Sequence, residues 1–180
     1  MKMLQAIAIT LVSAAMVPAM AAVSSETEQA SQLLGAKMVS EVSFEEGKSS
    51  LTDASKEEIK AFVASARQSG KIGEVKLAVW ADREYPTKDT KASKGDVKLA
   101  DERAKALTNY LKKDLKVESV SSYNMTERPN ALQKFVKTPT EKVKSTMEAT
   151  GAAPKTDSET GIFNQNAQAK KAVLMLYMKE

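Results

Sequence analysis

Asp82 and Arg103 are the residues of this 180-residue chain whose types and placing could do chemistry together. Asp82 closes the stretch EVKLAVWAD, whose alternation predicts a strand. Arg103 lies one turn into LADERAKALTNYL, which predicts a helix. A carboxylate can accept hydrogen bonds from an ammonium. A guanidinium can fork onto a carboxylate in a planar, bidentate match that Lys cannot copy. The two could therefore hold a ligand that carries both an ammonium and a carboxylate. The competing reading is a structural ion pair with no ligand. Arg103 has Leu99, Ala100, Ala106 and Leu107 at the positions three and four away, so its charge must find a partner off its own helix or reach water. Asp96 is expected to cap the helix, and backbone N–H groups around Val97 and Lys98 could donate to an anion. Trp80 shares the parity of Asp82; it either stacks on a ligand at the mouth of the site or packs inside.

Much other chemistry is excluded by composition. The chain has no Cys and no His, hence no disulfide, thiol nucleophile, imidazole base or ordinary zinc site. No Ser is followed by a Lys three residues later, as Ser-Lys catalysis on one helix face would need. Asp82, Asp89 and Asp96 lack the spacing, Gly and Glu of a calcium loop and read as solvated loop acids. A hydrolase would need two carboxylates facing one cleft, and Asp82 with Asp96 or Glu84 are the candidates. No cofactor is expected.

The N-terminus predicts export. Met1-Lys2, an apolar run from Leu4 to Val17, Pro18 and then Ala19-Met20-Ala21 make a secretory signal cleaved after Ala21. The alternative is an uncleaved anchor, for which the apolar run is short. Without a Cys the chain cannot carry the lipid of a lipoprotein. Cleavage takes the chain from 180 to 159 residues, one domain's worth, and leaves 26 basic against 23 acidic residues, +3. This mild, interspersed charge does not point to nucleic acid.

These residues must be positioned by a chain that alternates strand and helix. Residues 22–36 are polar and read as a flexible lead-in or a short helix. Residues 37–44 alternate as a half-buried strand. A helix opens at Leu51-Thr52-Asp53 with Thr52 as N-cap, buries Ile59, Phe62, Val63 and Ala66, and ends at Ser69-Gly70. Val75, Leu77, Val79 and Ala81 line one face of the strand that ends at Asp82. After a polar loop, a second helix runs to about Asp114 on Ala100, Ala104, Leu107 and Leu111. Residues 117–123 predict a third strand. Thr138-Pro139-Thr140-Glu141 is a capping box for a helix near 139–149, with Val143 and Met147 as a thin stripe. Residues 172–178, AVLMLYM, are apolar on both parities and predict a central strand. The expected fold class is α/β (α+β): a mixed sheet of about four strands with helices packed on one face.

The residues resemble a known family. Phe44-Glu-Glu-Gly47-Lys-Ser-Ser-Leu51, running on to Ile59, is similar to the opening strand and first helix of OmpA-like domains. Val79-Trp80-Ala81-Asp82 stands where the family carries Gly-His-Thr-Asp. Leu99-Ala100-Asp101-Glu102-Arg103-Ala104, followed by Tyr110-Leu111, stands for Leu-Ser-x-x-Arg-Ala and Tyr-Leu. Tyr123 to Pro129 is similar to a Gly-x-Gly-Glu-x-x-Pro turn, and Lys170-Lys171-Ala172 stands for Arg-Arg-Val. The resemblance spans residues 38–180 and places an OmpA-like β/α sandwich at 37–180. It implies non-covalent binding of peptidoglycan in the periplasm of a Gram-negative cell. The family's strand-end Asp and helix Arg grip the diaminopimelate of the stem peptide, which implies those roles for Asp82 and Arg103. It also leaves room for an outer-membrane or envelope protein as partner. The chain departs from the pattern at Ala81, which lacks the hydroxyl, at Val79-Trp80, which add bulk, and at Asp96, an acid where the family has Asn. A domain that had lost its site would serve as a protein-interaction module. An open cleft between Asp82 and Arg103 favours the binding reading, and a cleft filled by Trp80 or Tyr85 favours the second.

Overall fold

The computed structural model describes residues 23–83, 92–126, 138–154 and 169–179. These contain α1 (Ser25–Leu33), β1 (Met38–Ser43), α2 (Asp53–Ser69), β2 (Ile72–Val79), α3 (Lys94–Asn109), β3 (Val120–Asn124), α4 (Pro139–Thr150) and β4 (Lys171–Met178). The strands form one mixed sheet in the order β1-β4-β2-β3. β4 runs antiparallel to β1 and β2, and β2 pairs parallel with β3. The last strand thus enters the middle of the sheet, where a run that is apolar on both parities can be buried on both faces. No helix among the described residues is long and apolar enough to cross a membrane.

The α/β class and the four-stranded mixed sheet are as expected, but the helices lie on both faces. On the first face, α2 and α3 pack Ile59, Phe62, Val63, Leu107 and Leu111 on Val42, Val75, Leu77, Leu174 and Leu176. On the second, Ala30 of α1 and Val143 and Met147 of α4 pack on Ala78, Val173 and Met175, with Trp80 and Met125 beside them. The reason lies in β4. Ala172, Leu174 and Leu176 face one side and Val173 and Met175 the other, all buried, so both sides need a cover. Of the two forms expected for the N-terminal segment, residues 25–33 take the helix. Ser24 caps it by accepting from the Thr27 N–H, and Thr27, Ala30 and Ser31 are buried.

Helix ends explain two shifted boundaries. Thr52 and Thr138 cap α2 and α4 as expected, accepting from Ser55 and Glu141. α3, however, widens into a π-helical turn at Tyr110–Asp114. The Leu115 N–H donates to the Tyr110 carbonyl and the Val117 N–H to the Leu111 carbonyl, with Lys116 at a φ of 53°. Closing the helix therefore uses Val117, and β3 starts at Val120 rather than 117. β2 likewise stops at Val79, three residues before Asp82, because the Ala81 N–H turns to the Thr126 hydroxyl at 2.9 Å.

Candidate functional site

Asp82 and Arg103 do meet. Nη2 of Arg103 lies 2.5 Å from Oδ1 of Asp82. The pair closes the ion-pair question that the helix itself left open, since no acid stands three or four residues from Arg103. Its setting differs from a grip awaiting a ligand. The Arg103 side chain is 0% exposed and that of Asp82 15%. The guanidinium also donates from Nε to the Lys48 carbonyl at 2.8 Å, from Nη1 to the Trp80 carbonyl at 3.0 Å and from Nη2 to the Glu45 carbonyl at 3.1 Å. It lies 4.8 Å from the Phe44 ring centroid. A guanidinium has five N–H donors, and a bidentate carboxylate needs two on one edge. Both edges of Arg103 that could fork are engaged. There is no open cleft between the two side chains.

What fills that space is the β1–α2 loop. Glu45 to Lys48 form a turn, with the Lys48 N–H donating to the Glu45 carbonyl at 3.1 Å and Gly47 at a φ of 65°. Positive φ at the third position of such a turn is what Gly supplies at no steric cost. A Cβ at Gly47 would meet nothing within 4 Å, so backbone angle and not space selects the residue. The Gly47 N–H then donates to Oδ2 of Asp82 at 2.6 Å. Both Asp82 oxygens are thereby engaged, one by α3 and one by the loop. At the loop's outer side Lys170 pairs with Glu46 at 2.7 Å.

The remaining candidates take other places than expected. Trp80 is 1% exposed, in the core of the second face beside Met125, with Lys171 Nζ 5.9 Å from its ring centroid. Its indole offers no face for stacking; its carbonyl is the part that reaches Arg103. Ser93, not Asp96, is the N-cap of α3. The Ser93 hydroxyl accepts from the Asp96 N–H at 3.0 Å and lies 2.9 Å from Oδ2 of Asp96. Asp96 is thus the third helical residue, its N–H satisfied by the cap and its carboxylate accepting from the same hydroxyl. The Val97 N–H donates to the Ser93 carbonyl at 3.1 Å, so it is not an open anion donor, and the Val97 carbonyl accepts from Asn124 Nδ2 at 3.0 Å. Asn124 also reaches Asp101 at 2.8 Å and ties the end of β3 to α3. Glu84, Tyr85 and Asp89 lie outside the described residues.

Sequence reasoning missed Glu45, Gly47, Lys48 and Thr126 as parts of this site. Three of them contribute backbone atoms, which no side-chain pattern reveals. Gly47 was readable as a turn, but not its bond to Asp82. Thr126 is fully buried, and its hydroxyl holds the chain just ahead of Asp82.

No family model matches the chain, and no curated protein matches it. Among solved structures it is similar to the OmpA-like domain of FopA1 from Francisella tularensis subsp. tularensis SCHU S4, at 12% identity and a TM-score of 0.41. The match covers 79% of this chain and 75% of that one.

Proposed function

We propose that the chain is a non-catalytic, OmpA-like module of the cell envelope, exported to the periplasm, in which Asp82 and Arg103 latch the β1–α2 loop rather than grip a ligand. It then works by presenting surfaces to envelope partners. The observation that carries this reading is the complete burial of Arg103, with Asp82 and three loop or strand-end carbonyls around it. A buried cation of this kind is stable only when paired and hydrogen-bonded, and removing the pairing leaves an uncompensated charge. The family resemblance, the signal-like N-terminus and the absence of His and Cys support the envelope and non-catalytic parts.

The second reading is binding of peptidoglycan, with Asp82 and Arg103 on the diaminopimelate of the stem peptide. The resemblance of residues 38–180 and the part-exposed Asp82 carboxylate favour it. It requires the 45–48 turn to lift, exchanging its three hydrogen bonds to Asp82 and Arg103 for ligand contacts. Co-sedimentation of residues 22–180 with purified insoluble peptidoglycan separates the two, with Asp82→Asn and Arg103→Lys beside the unaltered chain and circular dichroism to confirm folding. The latch reading expects no specific pelleting by any folded form and a loss of thermal stability in both variants. Pelleting by the unaltered chain that disappears in folded variants would replace it with the peptidoglycan reading.

A further inference from the structure

The end of the sandwich where α2 and the π-helical turn finish carries a cluster of cations that the Asp82–Arg103 site does not use. Arg67, Lys71, Lys112, Lys113 and Lys116 are all exposed there. Two contacts bring them together. Arg67 Nη2 donates to the Leu115 carbonyl, between Lys113 and Lys116. The Lys179 N–H donates to the Lys71 carbonyl at 2.8 Å, while Lys179 Nζ pairs with Glu118 at 3.4 Å and closes the patch on the β4 side. None of the five cations enters an ion pair among the described residues, whereas Lys56, Lys60, Lys76, Lys98, Lys170 and Lys171 all do. Asp114 is the one acid between Lys112 and Lys116.

Helix dipoles account for part of this. Each helix C-terminus carries about half a negative charge, so two ends call for about one cation. Five exceed that several-fold. Lys116 adds a second sign: it holds a φ of 53°, a left-handed position where Gly or Asn ordinarily stands. The conformation is unfavourable for a long side chain, yet a cation occupies it. Among the described residues the exposed large apolar side chain is Leu33, which belongs to α1 and not to this end. The patch therefore has no apolar or aromatic anchor of the kind that dominates protein–protein contacts, and no aromatic platform for bases. Cations without an anchor suit a partner that presents diffuse negative charge over a broad plane.

We propose that this basic end docks the protein on an anionic lipid bilayer through phosphate headgroups, by electrostatics alone. The docking is independent of the latch, so either can fail without the other. The test uses residues 22–180, which hold every described element and lack the apolar run 4–17 that would bind lipid by itself. Flotation with phosphatidylglycerol vesicles should show binding that weakens as salt shortens the Debye length, with none on pure phosphatidylcholine. Each cation near such a surface contributes about a fivefold change in partition. Lys112→Gln, Lys113→Gln and Lys116→Gln together should lower it by about a hundredfold. Lys37→Gln, Lys94→Gln and Lys142→Gln, an equal change in net charge elsewhere, should lower it far less. Absence of phosphatidylglycerol binding overturns the proposal. So does an equal loss in the control triple variant, or capture by soluble polyphosphate without vesicle binding.

Discussion

The two faces of the sheet solve the same burial problem with different materials. The α2/α3 face is filled by large aliphatic and aromatic side chains, and its buried charge, Arg103, lies at one rim. Among the described residues the α1/α4 face has fewer large apolar groups, relies on Met125, Met147, Met175 and Trp80, and threads polar contacts through the layer. Thr27 of α1 donates to Glu41 at 2.5 Å, and Lys171 reaches the same carboxylate oxygen at 3.4 Å. Lys144, buried on α4, donates to the Met125 carbonyl. Polar groups at a rim can hold a loop in place, whereas polar groups inside a layer fix the angle and register of the helices that cover it.

This contrast can be broken or sharpened by unfolding measurements. The largest loss is expected at the rim. Arg103→Ala removes the partner of Asp82 and the donors to three carbonyls and should cost about 3–5 kcal/mol, read from urea midpoints. A loss under about 1 kcal/mol would mean the pair is exposed and unimportant to the fold. Next come the two cores. Met147→Ala on α4 and Leu107→Ala on α3, both fully buried, should each cost about 2–5 kcal/mol. If Met147→Ala is nearly silent, the α1/α4 layer is a loose cover and the two faces are not comparable. Cap losses should be smaller and alike: Thr52→Ala and Thr138→Ala at about 1 kcal/mol each.

The smallest effect is pH-dependent and divides the faces unequally. On the second face burial raises the Tyr177 and Tyr123 hydroxyl pKa values above the ordinary 10.0. Tyr123 and Glu74 add to the effect on Tyr177, and Glu74 adds to that on Tyr123. On the first face Tyr110 is raised by burial and then by Glu57. A folded pKa above the unfolded one gives stability that is complete below about pH 10 and lost as pH climbs through the folded value. Unfolding midpoints should therefore fall as pH climbs above about 10. Replacing Tyr123 and Tyr177 by Phe should flatten that fall more than Tyr110→Phe does.

Legibility in the sequence followed the same divide. α2, α3 and the strands they cover announced themselves through side chains at regular spacing, such as Ile59, Phe62, Val63 and Ala66. Among the described residues the helices of the second layer bury Ala30, Val143 and Met147, too few apolar positions for periodicity to assign a face. Yet β4 did hold the clue, because a strand apolar on both parities demands two covers. At the site, the meeting of Asp82 with Arg103 was foreseeable from charge and position. The closure over them was not, because the Glu45, Lys48 and Trp80 carbonyls and the Gly47 N–H are common to every sequence. Trp80 was ambiguous for a local reason: one strand position places it on the face away from α3, and only the second helical layer turns that face into core.

The most direct test of the latch is amide hydrogen exchange at Gly47 in residues 22–180, followed by NMR. The Gly47 N–H sits in an exposed turn, and its partner is Oδ2 of Asp82. A closed latch predicts slow exchange at Gly47 in the unaltered chain and fast exchange in folded Asp82→Asn or Arg103→Lys, with α2 amides unchanged. Gly47 exchanging at the rate of a free loop in the unaltered chain would contradict the latch and leave the pair open to a ligand.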